Sequence, residues 1–261
     1  MVWRQFRRAA IALSALLALC ACARAAMPEL RIAASDANAP VLGMISSIAK
    51  EAGFEPKTFV FPIVRSRNEL LAGNVDLEIL RANSIVKAIY PKNMITIGPV
   101  MNTRGYLFVL KSAPTRKRED WLRQPLIYLN GNSQSERFAT EHQLDAKAIG
   151  QRPSLYKMLM AGRAPAVIDE ERYALAYLVA NGLDQQVRKI EPPLFEDQLV
   201  LVLHPSKASF EAPLRQVVDR WLRDGRWVEG WHEIYKKQGL PLDLNLLPQV
   251  QSTEPASARR P

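Results

Sequence analysis

An α/β protein of two lobes is the fold class that the sequence predicts, and three observations carry it. Short β-type runs alternate with helical patterns from Leu30 to Asn181, the order of βα units on a largely parallel sheet. The charged stretch 111–123, which holds Pro114, interrupts that alternation. Two all-apolar runs, 106–110 and 199–203, flank the block between them, as strands would that carry the chain out and back.

The elements follow in order. Leu30, Arg31, Ile32 and Ala33 make the first strand. Pro40 suits the opening turn of a helix that runs to about Ala52, and Gly53 stops it. Residues 57–61 form the second strand, 65–71 a short helix ended by Gly73, and 75–81 the third strand. Beyond the break come a strand at 126–129, helices at 135–142 and 154–161, a strand at 166–168 and a helix at 170–181 stopped by Gly182. The run 199–203 returns the chain to the first lobe. An amphipathic helix then sets Phe210, Leu214, Val217, Val218, Trp221 and Leu222 on one face, ended by Asp224-Gly225. A last helix carries Trp227, Trp231, Ile234 and Tyr235 at helical spacing, which places both tryptophans in the core rather than on a ligand. The division expected is 26–111 with 199–247 as lobe one, 112–198 as lobe two, and a disordered Pro/Ser/Gln/Arg-rich tail at 248–261.

Composition bounds the function. With 48% hydrophobic and 23% charged residues among 261, the chain reads as globular. Arg4, Arg7 and Arg8 precede an apolar run at 9–23, and Ala23-Arg24-Ala25 offers a cleavage site before Ala26. This is the layout of a secretory signal peptide over 1–25, so the expected address is the periplasm. An apolar run of about 15 residues is short of the roughly 20 that span a bilayer. Both cysteines, Cys20 and Cys22, fall inside the leader, so cleavage there leaves no disulfide or thiolate. Leu19-Cys20-Ala21-Cys22 offers lipidation at Cys22 as the alternative, against which stands the cysteine where a small or β-branched residue is usual. Four arginines and no acid lie in 1–25, which leaves +5 of the formal +9 to the mature chain. Its basic residues are scattered among acids, with no basic run interleaved with aromatics, so no nucleic-acid partner is expected.

Three stretches carry a resemblance. Pro62-Ile63-Val64-Arg65, Leu70, Gly73-Asn74-Val75-Asp76, Glu78 and Arg81 come first, with Tyr90-Pro91 eight residues before Gly98-Pro99. The second is Gly162-Arg163-Ala164-Pro165-Ala166-Val167-Ile168-Asp169 followed by Tyr173, and the third Leu222-Arg223-Asp224-Gly225-Arg226-Trp227. In this order the chain resembles the extracellular solute-binding proteins of family 3, related to amino-acid receptors of ABC importers. The resemblance implies a periplasmic-binding-protein type II fold, two α/β lobes joined by hinge strands with the ligand in the cleft. It implies a small polar solute, amino-acid-like or an organic acid, and an inner-membrane ABC permease or a sensor as partner. A monomer without cofactor or metal is expected.

Candidate ligand residues are Asp169, Arg81, Asn132, Ser133 and Arg65. Asp169 ends a strand of lobe two, where open α/β sheets place ligand groups; in the relatives the matching aspartate pairs with an α-ammonium. Its competing role is a helix cap. Asn130-Gly131-Asn132-Ser133 joins a strand to a helix, so its amides suit an anion, or Ser133 and Glu136 form an ordinary capping box. Arg81 ends the third strand and Arg65 opens the preceding helix; either guanidinium can grip a carboxylate, although Arg65 also suits a structural pair. Asp76 is expected to fix a turn. The threonine and arginine of the relatives' carboxylate clamp are missing, with Ile85 and Ala88 in their places, so Arg81 is the candidate substitute and a plain α-amino acid is in question.

Catalysis has little support. His142, His204 and His232 lack a partner at metal-ligand spacing, and no nucleophile elbow or phosphate loop occurs. An enzyme alternative rests on relatives of this fold that dehydrate cyclic dienyl acids, for which Glu78 or Glu170 would serve as general acid.

Overall fold

The computed structural model describes residues 27–248; the expected leader, the Cys22 alternative and the tail from 249 lie outside them. The chain opens with β1 (Glu29–Ser35), a 3-10 turn (Asp36–Val41), α1 (Leu42–Glu51), β2 (Glu55–Phe61), α2 (Ile63–Leu71), β3 (Leu77–Ala82) and α3 (Asn83–Ile89). Strand β4 (Ile95–Leu110) leads into α4 (Arg118–Leu122), β5 (Leu126–Leu129), α5 (Ser133–Glu141), β6 (Ala146–Ile149), α6 (Arg152–Met160), β7 (Ala166–Glu170) and α7 (Glu171–Ala180). Strand β8 (Val187–Leu203) comes back, and α8 (Glu211–Asp224) and α9 (Arg226–Lys237) follow. Gly225 separates those two helices at φ +86, a left-handed conformation that glycine adopts without a Cβ clash.

One sheet of order β2-β1-β3-β8-β4-β7-β5-β6 runs through both lobes. Within each lobe the βα pairs are parallel: β1 with β2 and β3, and β5 with β6 and β7. The two long strands are antiparallel to each other and to their neighbours β3 and β7. Strand alternation explains why the apolar runs are unbroken. Leu199, Leu201 and Leu203 pack into a core with Leu30, Trp227 and Trp231, while Val200 and Val202 face Leu70 and Tyr90 on the other side. Likewise Tyr106 and Phe108 join Tyr156 and Leu178, and Leu107 and Val109 join Trp121 and Phe138. A strand covered on both faces by helices is apolar at every position rather than at alternate ones. Both tryptophans expected in the core are fully buried.

One strand bears on the expected division. The run 106–110, expected to close lobe one at 111, packs entirely in the cores of the second block. Just before it, residues 102–105 pair with 195–198 of β8. The sequence hides this ladder because Asn102-Thr103-Arg104-Gly105 and Phe195-Glu196-Asp197-Gln198 carry no apolar pattern. Their strand character comes from cross-strand hydrogen bonds alone. At Gly105 a Cβ would land 2.0 Å from Phe195 Cζ, so the crossing needs glycine for close approach of that ring.

Candidate functional site

A cleft lies where the second block faces the first. Its central cavity, of about 40 Å³, is lined by Arg81, Asn132, Ser133, Arg152, Glu170 and Tyr173. It widens on one side towards Asp36, Ile63 and Gln151 and on the other towards Ser84, Phe138 and Asp197. In this arrangement the centre has room for a few waters. A solute of several heavy atoms needs the walls to part.

Arg81 reaches the cavity because β3 carries a bulge. Glu78 pairs with Val202 and Arg81 with Val200, three residues against two, and Leu80 within the bulge sits at φ +55. An extra residue re-aims the side chains that follow it, and a leucine at positive φ is a strained conformation that packing must hold. The Arg81 Nε stands 3.8 Å from Glu78 Oε1, and the Tyr90 hydroxyl donates to Glu78 Oε2 at 2.7 Å. Burial works against the Arg81 cation, but Glu78 beside it holds the pKa above the usual arginine range.

On the facing wall, Asp169 is fully buried and does not line the cavity. It accepts two hydrogen bonds from Arg152, from Nε at 2.9 Å and Nη2 at 3.0 Å. It also accepts from the Tyr156 hydroxyl at 3.3 Å and from the Glu170 amide at 2.9 Å. The expectation that Asp169 faces Arg81 across the cleft is corrected: every lone-pair direction of Asp169 already has a donor within its own block. What reaches the cavity is its partner Arg152, which stacks over Tyr173 at 5.2 Å, and the next residue, Glu170. The Glu170 carboxylate accepts from Thr103 Oγ1 at 3.0 Å. Burial pushes its pKa above the ordinary glutamate value, against the pull of Arg172.

Asn132 and Ser133 border the cavity. Asn132, not Ser133, caps α5, its Oδ1 accepting from Ser135 N at 3.1 Å, so the Ser133–Glu136 capping box is replaced by a cap one residue earlier. The start of α5 brings orphan amide donors and the positive end of the helix dipole to the cavity wall. Arg65 lies outside: its Nε donates to Glu69 Oε1 at 3.1 Å and its side chain is 64% exposed, the structural pair rather than a ligand contact. Asp76 holds Arg31 through Nε at 3.0 Å and Nη2 at 2.6 Å and accepts the Arg31 amide, as befits a turn-fixing residue.

Several bonds hold the walls together. Arg172 Nη2 and the Tyr173 hydroxyl each donate to Asn38 Oδ1 at 2.8 Å. Asp197 accepts from Ser84 N at 3.2 Å, Ser84 Oγ at 2.5 Å and Gln134 Nε2 at 3.1 Å. A Cβ on Gly131 would stand 3.0 Å from Val64 Cγ2. Asp197→Ala removes an anion that joins α3 to α5, and hydrogen bonds to a charged group are each worth about 1.5–3 kcal/mol. The expected result is a shift towards an open form, read as a larger radius of gyration in small-angle scattering; an unchanged radius would show that Asp197 does not latch the cleft.

Two α/β lobes, a pair of crossing strands and a polar cavity between the lobes define the periplasmic-binding-protein type II fold. The chain has this fold. No protein-family model and no curated protein matches it, but solved structures do. The ligand-binding core of GluR0 from Nostoc punctiforme, in complex with L-glutamate, superposes with a TM-score of 0.67 at 17% identity, over 79% of this chain and 99% of that one. A substrate-binding protein of an ABC uptake transporter from Streptococcus pneumoniae, with bound histidine, gives 0.68 at 13%, over 82% and 95%. The arginine-, lysine- and histidine-binding protein ArtJ from Geobacillus stearothermophilus gives 0.65 at 16%, over 83% and 98%.

Proposed function

We propose that the protein captures a small solute bearing a carboxylate and a cationic group, in the manner of an exported receptor that serves an ABC importer, and that it is not an enzyme. The observation that carries this reading is the pairing of walls. Arg81, on the bulge of β3, and the N-terminus of α5 offer donors to an anion, while Glu170 from β7 offers an acceptor to a cation. Glu170 takes the role that the resemblance gives to Asp169, because Asp169 is already saturated. The neighbours of this fold with bound glutamate and histidine support a solute of this class. Residues 27–101 with 199–248, and 106–190, act as the two lobes, turning about 102–105 and 191–198. A ligand that touches both walls favours the closed form, which is how differential contacts drive closure; hinge closure of periplasmic binding proteins is a standard example of such motion. Export over 1–25 gives this receptor its periplasmic address.

A thermal-shift screen over amino acids, amines and small organic acids tests the reading. A true ligand at 100 times its Kd stabilises by about 2.7 kcal/mol; no shift with any of them would sink the proposal. Glu170 adds a pH signature. Its pKa is raised, so as pH falls through that elevated value the carboxylate is neutralised and its attraction for a ligand cation is lost. Calorimetry is expected to show affinity weakening on the acid side, above the ordinary carboxylate range, and Glu170→Gln to flatten that dependence. A profile identical in the variant would assign the cationic end elsewhere.

A further inference from the structure

Holding Asp169 uses only part of Arg152. A guanidinium presents N–H donors along two edges. Asp169 takes the edge of Nε and Nη2, at 2.9 and 3.0 Å. The Nη1 group has no hydrogen-bond partner among the described residues, and Arg152 lines both the central cavity and the flank towards Ile63 and Gln151. The ion pair along one edge and the Tyr173 ring 5.2 Å from its face fix the plane of the group. Its end-on edge, Nη1 with the second N–H of Nη2, is what it has left to offer the cavity that it lines.

The same cavity holds a second guanidinium and few acceptors. Arg81 lines it with the Glu78 carboxylate 3.8 Å from its Nε, beyond hydrogen-bond reach. Both arginine side chains are nearly buried, Arg81 at 11% exposure and Arg152 at 13%. Asn38 Oδ1 already takes donors from Arg172 and Tyr173. Glu170 is the one carboxylate that lines the cavity, and it also accepts from Thr103. Two guanidinium edges thus face one carboxylate. Closure around a solute removes the water that serves those N–H groups, and a buried donor left without an acceptor is costly. A solute that meets every charged group here brings two anions and one cation.

Resting on the proposed capture of a solute with a carboxylate and a cationic group, we infer that this solute carries a second carboxylate, which seats on the free edge of Arg152. Its class is an amino dicarboxylate, that of glutamate and aspartate. A planar carboxylate matches an end-on guanidinium edge through two parallel hydrogen bonds. An amide in the same place turns its NH2 group against N–H donors, and a basic side chain brings a cation to a cation. Arg152 therefore sets specificity by what it repels as well as by what it binds.

Calorimetry on the full protein with L-glutamate, L-aspartate, L-glutamine, L-arginine and glutarate tests this assignment. The tighter of the two amino dicarboxylates is expected to bind about tenfold or more above glutamine, arginine and glutarate, since a site built to bond a group rejects analogues that lack it. Arg152→Lys keeps a cation for Asp169 and gives up the second edge, so the preference for glutamate over glutamine is expected to fall below about threefold. A ratio taken within one variant cancels any general loosening of the fold, and the ligand comparison in the parent needs no variant at all. Glutamine or arginine binding as tightly as the acids overturns the inference and leaves the proposed function standing, as does a preference that survives Arg152→Lys. Glutarate matching glutamate removes the ammonium, and with it both the inference and the cationic half of the proposed function. Binding of none of these solutes overturns the inference, while the wider thermal-shift screen still decides the function.

Discussion

Asp169→Asn is expected to lower the stability of the protein by about 3–5 kcal/mol, the usual cost of removing one partner of a buried ion pair. Asp169 is fully buried, and the Arg152 side chain it holds is only 13% exposed. Asparagine keeps one acceptor oxygen and replaces the other with an NH2 group, which meets the donors of Arg152 head-on. An uncompensated cation then remains in the wall of the second lobe. Urea unfolding should show a lower midpoint with an unchanged slope, since the surface exposed on unfolding stays the same. Introducing Arg152→Met alongside should recover part of the loss, because the stranded charge is then gone and the two residues are directly coupled. A single-variant loss below about 1 kcal/mol would mean that the pair behaves as a solvated one, and the assignment of Asp169 to the framework would fail.

On the proposed function, Arg81→Gln is expected to weaken capture of the solute by roughly 2–5 kcal/mol, because the ligand carboxylate it leaves behind stays desolvated and unpaired. At 1.4 kcal/mol per decade this is about 30-fold to several thousand-fold in Kd. Glu78 complicates the reading, since its Oε1 loses the cation 3.8 Å away and keeps only the Tyr90 hydroxyl on its other oxygen. Arg81→Lys separates the effects. It retains a charge for Glu78 while giving up the planar fork that matches a carboxylate, so it should lose affinity with little change in stability. Calorimetry with the ligand found by thermal shift decides the matter. A Kd within threefold of the parent in both variants would make Arg81 a structural partner of Glu78.

The local grammar of the fold was legible along the chain. Apolar runs at 106–110 and 199–203 read as strands because burial on both faces removes the polar alternation. The spacing of Leu214, Val217 and Val218, and of Trp227, Trp231 and Tyr235, read as packed helix faces, and those six side chains are buried. Arg81, Asn132 and Ser133, which line the cavity, were legible as candidates because each ends a strand or opens a helix, and such positions gather at one edge of an α/β sheet.

Other features depend on partners distant in sequence, and no local pattern encodes them. The hinge ladder between 102–105 and 195–198 exists only because the two segments meet in register; taken separately each reads as a polar loop. The bulge that turns Arg81 into the cleft is a mismatch of one residue between β3 and β8, visible only once they pair. The choice between Asp169 and Glu170 is the clearest case. Two adjacent carboxylates end one strand, and adjacent strand residues point to opposite sides. By itself the sequence determined the alternating βα order, the apolar strands and the presence of an acid at this strand end. Which acid reaches the cleft was decided by the tertiary structure, because Arg152, arriving from α6, neutralises Asp169 inside the lobe and leaves Glu170 facing the cavity.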